Sequence, residues 1–413
     1  MTAYQAGSTF SPTNYAERRS KYRAAWAERA GVIMKKIDPQ VEEAVDTLSL
    51  NGLARRRLLS GAGMLSASAA AAALLSACSA DNKSDNNKSG NGVGDFPQTP
   101  KWKFVFVNHV TTNPFFTPTQ YGASDACALL GASFQWTGSK DSSVPEMVSA
   151  MSSAVSAKAD GIALAVVDKN AFKSPVAKAL DAGIPTISYN ADGAKGDPGT
   201  SRLCYVGQDL YQSGVELGRR IASLMPSGGD AVGFIATPGA LNIQPRIDGA
   251  TDAIKASGKS INFKSVASGA ELPQELSTID AYVSGHKDLK GLFAVDAGST
   301  ESVGKVVKKY GLKKKKNVVA GGFDLNPNTL TAIKAGDLDF TIDQQPYLQG
   351  FLSVLYLWMY KLSGGLVIPS VTDTGLLFVT KDNVSPYLQT KTRYEGSSTK
   401  QQLIKRSGPI AHA

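Results

Sequence analysis

Between residues 103 and 323 the chain alternates short apolar runs with segments of helical period, and it does so twice. That alternation is the signature of βα units feeding a parallel sheet. The first set of runs is Phe104-Val105-Phe106-Val107, Ser133-Phe134-Gln135-Trp136, residues 162–167, Thr186-Ile187-Ser188-Tyr189 and Leu203-Cys204-Tyr205-Val206. Helices are predicted near 118–130, 143–157 and 171–182. The pattern then restarts with runs at 231–235, 261–266, 292–295 and 318–323. Gly183-Ile184-Pro185 and Ala335-Gly336-Asp337 punctuate helix ends, Gly closing a helix and Pro opening a strand. The fold class that follows is α/β, with two doubly wound parallel-sheet lobes. Residues 347–362 place Phe351, Leu355, Trp358 and Met359 at roughly helical spacing, which reads as core packing. The stretch is shorter than a membrane span and contains Gln349, Gly350 and Ser353.

A chain of 413 residues is too long for one ordinary core. Its formal charge of +9 invites a nucleic-acid partner, but residues 1–77 hold 10 Lys/Arg and 6 Asp/Glu, leaving only 34 against 29 for the rest. No nucleic-acid partner is expected from so mild an excess. The lysine run at 313–316 precedes a strand-like segment and reads as a solvated turn. Near the front, Arg55-Arg56-Arg57-Leu58-Leu59-Ser60 leads into an Ala- and Leu-rich run ending at Leu74-Leu75-Ser76-Ala77-Cys78. A basic start followed by a modest apolar run is an export signal, and consecutive arginines fit a twin-arginine address. Leu75-Ser76-Ala77-Cys78 resembles the bacterial lipobox, in which the Cys78 sulfur takes the lipid; an uncleaved membrane helix with an incidental Cys is the alternative. Residues 79–94 are rich in Asp, Asn, Ser, Gly and Lys and suit a flexible tether. The expectation is an exported protein, lipid-anchored at the outer face of the cytoplasmic membrane. Residues 1–54 form a leader to which no role is assigned. Cys127 and Cys204 have no framework spacing and read as separate buried thiols.

An enzyme needs a convergent acid, base, nucleophile or metal cluster, and the body offers only His109 and His286, far apart in sequence. Metal-ligand spacing, G-x-S-x-G, a Walker loop and G-x-G-x-x-G behind the first strand are all missing; Asn108-His109-Val110-Thr111-Thr112 stands there instead. Neither enzyme activity, metal nor cofactor is expected. In open α/β sheets the carboxyl ends of the strands face the ligand crevice. The residues just past the runs are Asn113-Pro114-Phe115-Phe116, Asp168, Tyr189-Asn190-Ala191-Asp192, Arg246, Asp296, Phe323-Asp324 and Gln344-Gln345. Amide, carboxylate and guanidinium groups each engage neighbouring hydroxyls, and aromatic faces cover the C–H side of a sugar ring. Local roles compete with this reading: Asn113 and Asp324 also suit helix caps, Phe116 suits the core, and Asp192-Gly193 suits a turn. Arg246 follows Pro245 in a first helical turn, where a cation opposes the helix dipole, so a buried partner is expected.

Together these stretches resemble the ribose- and galactose-type solute-binding proteins of bacterial ABC transporters, from about residue 103 to 383. The resemblance rests on Asn113-Pro114-Phe115-Phe116, Gly183-Ile184-Pro185-Thr186-Ile187, Gly207-Gln208-Asp209 with Gly214 and Gly218, Arg246 with Gly249, Gly322-Phe323-Asp324 and residues 340–346. It implies a type I periplasmic-binding-protein fold whose lobes close about a hinge. It implies that Asn113, Phe115, Phe116, Asn190, Arg246, Asp296, Asp324 and Gln344 contact a sugar or polyol and that a membrane permease receives the ligand; Asp168 and Phe323 join the expected ligand contacts from their strand-end positions. Ribose-type relatives carry Asp then Arg after the fourth strand; Asn190 and Ala191 stand here, which removes one bidentate contact. The expected division is a tether at 79–100, an N-terminal lobe at 101–207 with 345–366, a C-terminal lobe at 208–344 with 367–400, and a tail at 401–413, the whole acting as a monomer. A sensor receptor with the same fold and a sugar-responsive transcription regulator remain as alternatives, the latter needing a DNA-binding helix-turn-helix where the export signal stands.

Overall fold

The computed structural model describes residues 97–192 and 202–404. The expected leader, export signal, Cys78 and most of the tether lie outside the described residues. The first sheet is built from β1 (Lys103–Asn108), β2 (Ser133–Gly138), β3 (Gly161–Leu164), β4 (Thr186–Tyr189) and β5 (Tyr205–Gly207). The second is built from β6 (Gly229–Ile235), β7 (Ile261–Ala267), β8 (Gly291–Ala294), β9 (Val319–Phe323) and β10 (Phe340–Asp343). Both run in the same spatial order, β2-β1-β3-β4-β5 and β7-β6-β8-β9-β10, with every one of these pairings parallel. The inner strands are continuous apolar runs because helices cover both their faces, whereas the edge strand β7 alternates as Ile261-Asn262-Phe263-Lys264.

Each sheet gains a sixth strand that periodicity does not announce. After β10 the chain forms a helix, Pro346–Leu362, that returns to the first lobe and buries Val354, Leu357 and Trp358 in its core. Next, β11 (Val371–Asp373) pairs parallel with β5, and β12 (Leu377–Thr380) pairs antiparallel with β10. The expected assignment of 367–400 to the C-terminal lobe therefore needs correction: β11 belongs to the first sheet. The C-terminal segment also comes back to the first lobe, where Arg393 pairs with Asp125 and Tyr394 packs edge-on against Tyr347 at 4.8 Å. Runs of three and four residues are too short to show a period, so their sheet could not be read in advance. The lysine run forms a short helix, Leu312–Lys316, rather than a turn, with Lys313 paired to Asp339.

Helix pairs in both lobes meet backbone to backbone. In the first lobe Thr117–Leu130 crosses Pro346–Leu362 through Gly122 and Gly350; a Cβ on Gly122 would stand 2.0 Å from the Tyr347 carbonyl and one on Gly350 1.9 Å from the Thr119 carbonyl. In the second lobe Leu210–Leu224 crosses Gln244–Ala256 through Gly214 and Gly249, each with an added Cβ 2.3 Å from a facing carbonyl. Backbone cannot swing aside as a flexible side chain can, so these contacts hold the helices, and the loops that precede them, in fixed register. Gly350→Ala should destabilise the fold by about 1–3 kcal/mol through overpacking. Gly285→Ala, where nothing lies within 4 Å of an added Cβ, should leave stability unchanged or slightly raised. Urea unfolding midpoints of the two variants check this, and equal midpoints would discard the close-approach argument.

Candidate functional site

The carboxyl ends of both sheets face each other across one cavity. It is lined by His109, Val110, Asn113, Phe115 and Phe116 after β1, Asn190 after β4, Asn242, Ile243 and Arg246 after β6, Asp296 and Ala297 after β8, Asp324 after β9, and Gln344 after β10. Its volume is about 50 Å³, well below the ~300–1,000 Å³ usual for small-molecule sites. The lobes touch at its rim. Leu241 donates its N–H to the Val167 carbonyl at 2.9 Å, and Asn242 Nδ2 donates to His109 Nε2 at 3.1 Å.

Arg246 is 2% exposed, and its partners are neutral rather than acidic. Its Nη1 donates to the Val295 carbonyl at 2.8 Å, its Nη2 to Gln208 Oε1 at 3.1 Å, and the guanidinium lies 4.1 Å over the Phe323 ring. Burial lowers its pKa, and the nearby Asp324, Tyr205 and Asp296 oppose that shift. Asp324 sits at φ +77° and accepts from Gln344 Nε2 at 2.7 Å; burial pushes its carboxyl up to about 7 against the pull of Arg246. Asp296 caps the helix Ala297–Tyr310, accepting from Ser299 N–H at 2.9 Å and from Ala236 N–H at 3.0 Å. Burial raises its pKa while those backbone donors hold it down.

On the opposite wall Phe116 is fully buried, 4.7 Å from Phe115 and 5.8 Å from Trp136, so it is core and cavity wall at once. Asn113 likewise fills two roles: its Oδ1 accepts from Phe115 N–H at 3.0 Å, capping the 3-10 turn, while the residue lines the cavity. Asn190, at φ +62°, donates to Gln349 Oε1 at 3.2 Å. Gln349 Nε2 in turn donates to Gln344 Oε1 at 3.1 Å, so a chain of amides runs from the first lobe through the hinge to Asp324. Gln208 and Thr374 lace the crossing segments together: Gln208 Nε2 donates to the Gly375 carbonyl at 3.0 Å, and Thr374 Oγ1 to the Gln344 carbonyl at 2.7 Å.

Eight of the ten residues read from the sequence thus converge on the cavity, and two do not. Asp168 is absent from the lining; its Oδ1 accepts from Asn170 and Ala171 N–H at 2.8 and 2.7 Å and shapes the turn into the next helix. Phe323 is fully buried behind Arg246, which it supports from the second lobe's core. Sequence reasoning missed His109 and Asn242 as lining residues. His109 follows β1 directly and carried that signal; Asn242 lies seven residues beyond β6, too far for a strand-end rule. Among the described residues, His109 Nδ1, Asn242 Oδ1 and Arg246 Nε are buried without a hydrogen-bond partner. Buried polar groups are nearly always matched, and these three belong to lining residues of one cavity. A larger cavity of about 410 Å³ lies between Asp343, Gln345 and the C-terminal segment, but its exposed wall is mostly apolar, with Leu325, Leu348 and three tyrosines in it. Chemistry rather than size picks the site.

Burial also pushes the His109 imidazole down to about 4. A ring neutral in the fold and basic when unfolded contributes stability above pH 6.5 that is lost as pH falls towards 4. The loss should be about 3 kcal/mol by linkage. His109→Gln should remove that part of the acid sensitivity, as read from urea unfolding at pH 7 and pH 4; identical pH slopes would show that the ring is not buried neutral.

The model of the periplasmic binding protein domain matches residues 104–364. The chain is 51% identical over 315 residues to the xylose/arabinose-binding protein XylF of Sulfolobus acidocaldarius, covering 74% of this chain and 77% of that one. A solute-binding protein from Burkholderia graminis C4D1M in complex with D-arabinose superposes with a TM-score of 0.65 at 25% identity, over 71% of this chain and 99% of that one. A carbohydrate transporter from Acidothermus cellulolyticus 11B in complex with myo-inositol gives 0.63 at 25% identity, over 72% and 100%. With two like sheets, three crossings and one cleft between them, this chain belongs to the periplasmic binding protein family and is a solute-binding protein, not an enzyme.

Proposed function

We propose that the protein captures a monosaccharide, an aldopentose before other sugars or polyols, between its lobes and passes it to the membrane permease of an ABC transporter. The observation that carries this is the set of three unmatched buried polar atoms, His109 Nδ1, Asn242 Oδ1 and Arg246 Nε, on the lining residues of one cavity with Phe115 and Phe116 in its wall. A compact ring bearing hydroxyls on its edge and C–H groups on its faces answers both needs. The name of the Sulfolobus relative and the D-arabinose complex favour a pentose. Asn113 and Asn190 would hold hydroxyls from the first lobe, Arg246, Asp296 and Asp324 from the second, and Gln344 from the hinge. Only the closed form presents all of them, so ligand shifts the open–closed equilibrium towards closure. Export and lipid attachment at Cys78 would keep the receptor beside its permease as a monomer; the arginine run at 55–57 and Leu75-Ser76-Ala77-Cys78 support that placement.

Thermal unfolding of the full chain against D-xylose, L-arabinose, D-ribose, D-glucose and myo-inositol tests the reading. A bound pentose should stabilise the native state by about 2.7 kcal/mol at 100 times its Kd. Arg246→Ala should weaken binding by about 1.5–3 kcal/mol, the size of a hydrogen bond to a charged group. No stabilisation by any of these compounds would discard the sugar assignment.

A further inference from the structure

Asp296 does not stand alone at the floor of the cleft. Glu275, in the first turn of the helix Leu272–Gly285, is 3% exposed. Its carboxyl lies against the backbone of Gly298, where an added Cβ would stand 1.8 Å from Oε2. The next residue, Ser299, has its hydroxyl 3.5 Å from Glu275 Oε1 and 2.7 Å from the Ser268 hydroxyl, and its N–H is one of the two bonded to Asp296. Ser299 thus brings the two acids to one place, with its hydroxyl towards Glu275 and its N–H on Asp296. Among the described residues neither forms an ion pair with Lys, Arg or His. The other charged groups nearby are Glu301 on the helix Ala297–Tyr310, already engaged by Lys305, Asn326 and Asn328, and Arg246 and Asp324, which both act on Asp296.

Two buried carboxyls sharing one site cannot both ionise. Asp296 accepts two backbone N–H bonds, which favour its charged form, while Glu275 has only a distant hydroxyl besides Asp296. The shared proton therefore belongs on Glu275. We propose that Glu275 is a neutral carboxylic acid that donates to the Asp296 carboxylate and fixes its orientation in the cavity, making Glu275 a positioning residue for sugar recognition. This rests on the reading of Asp296 as a ligand contact. It also explains why Gly298 is glycine: any side chain there would displace the acid. Burial and the Asp296 charge push Glu275 up to about 9, so the arrangement is intact at neutral pH and is lost as pH rises through that value.

Sugar affinity of the full chain, measured by calorimetry from pH 7 to pH 10, tests this. Wild-type affinity should be flat to about pH 8.5 and then fall, at most about tenfold per pH unit for one linked proton. Glu275→Gln, whose amide donates the same bond but cannot ionise, should rescue binding and abolish the alkaline fall. Glu275→Leu, with its fold checked by circular dichroism, should bind about tenfold more weakly at pH 7, the loss of one hydrogen bond to a charged group. A wild-type profile flat to pH 10, or the same fall in Glu275→Gln, overturns the proposal. Asp296→Ala separates the two layers: if it binds sugar as tightly as wild type, the site reading fails and the proposal with it. If Asp296→Ala loses binding while the wild-type profile stays flat, only the role of Glu275 fails.

Discussion

A guanidinium taken out of water must be held on every side, and Arg246 is the point where three parts of the fold meet to do so. The second sheet supplies the Val295 carbonyl, the hinge supplies Gln208, and the core supplies the face of Phe323. An isolated buried charge would be very costly; here the cost is offset by hydrogen bonds, a cation–π contact and the field of Asp324 and Asp296. The same helix that carries Arg246 is fixed by Gly249 against Gly214, so the guanidinium cannot retreat without separating two helices. Its position is set by packing remote from the cavity, the kind of support that would keep a binding group in place before a ligand arrives.

The cavity joins two unlike walls. One is aromatic and apolar, Phe115 and Phe116 backed by Trp136, and comes from the loop after β1. The other is rich in charge and comes from the second sheet. A relay of side-chain amides, Asn190 to Gln349 to Gln344 to Asp324, ties them through the hinge. Such a relay is satisfied only while the crossing segments keep their mutual positions, so any shift of those segments would break hydrogen bonds made by cavity-lining residues. Positive φ at Asn190, Asp324 and Gln345 marks the same junction. Backbone strain of this kind persists only where the surroundings over-determine it.

Carboxylates at this site are kept in check by different means. Asp296 is stabilised by a helix N-terminus and two backbone donors, Asp324 by Gln344 and the Arg246 charge, and Glu275 by staying protonated. Three acids packed near one cation would repel each other if all were ionised. Differences in their immediate partners divide the charge among them, which leaves a polar wall able to accept hydroxyl hydrogens without a large net field.

Much of the fold was legible in advance because its signals are local: apolar runs and helical periods recur twice, and strand ends lie next to the residues that line the cleft. Asn113, Phe115, Asn190, Asp296, Asp324 and Gln344 were read from that adjacency together with the family resemblance. Arg246 was read from its poor fit to a helix start, though its partners proved neutral. What the chain could not disclose depends on distant contacts. Asp168 and Asp296 both follow apolar runs, yet one is consumed by its own turn and the other faces the cleft. Asn242 reaches the cavity only because Leu241 docks against the other lobe. β11 and β12 are too short to signal which sheet they join. Glu275 is an unremarkable helix-start acid until tertiary packing buries it beside Asp296. The sequence by itself determined the two βα-repeat lobes and the side of each sheet on which the cleft opens, since periodicity and strand polarity are local properties. Only the tertiary structure decided which polar groups are left unmatched and which acids share a proton, because burial and proximity are set by the whole fold.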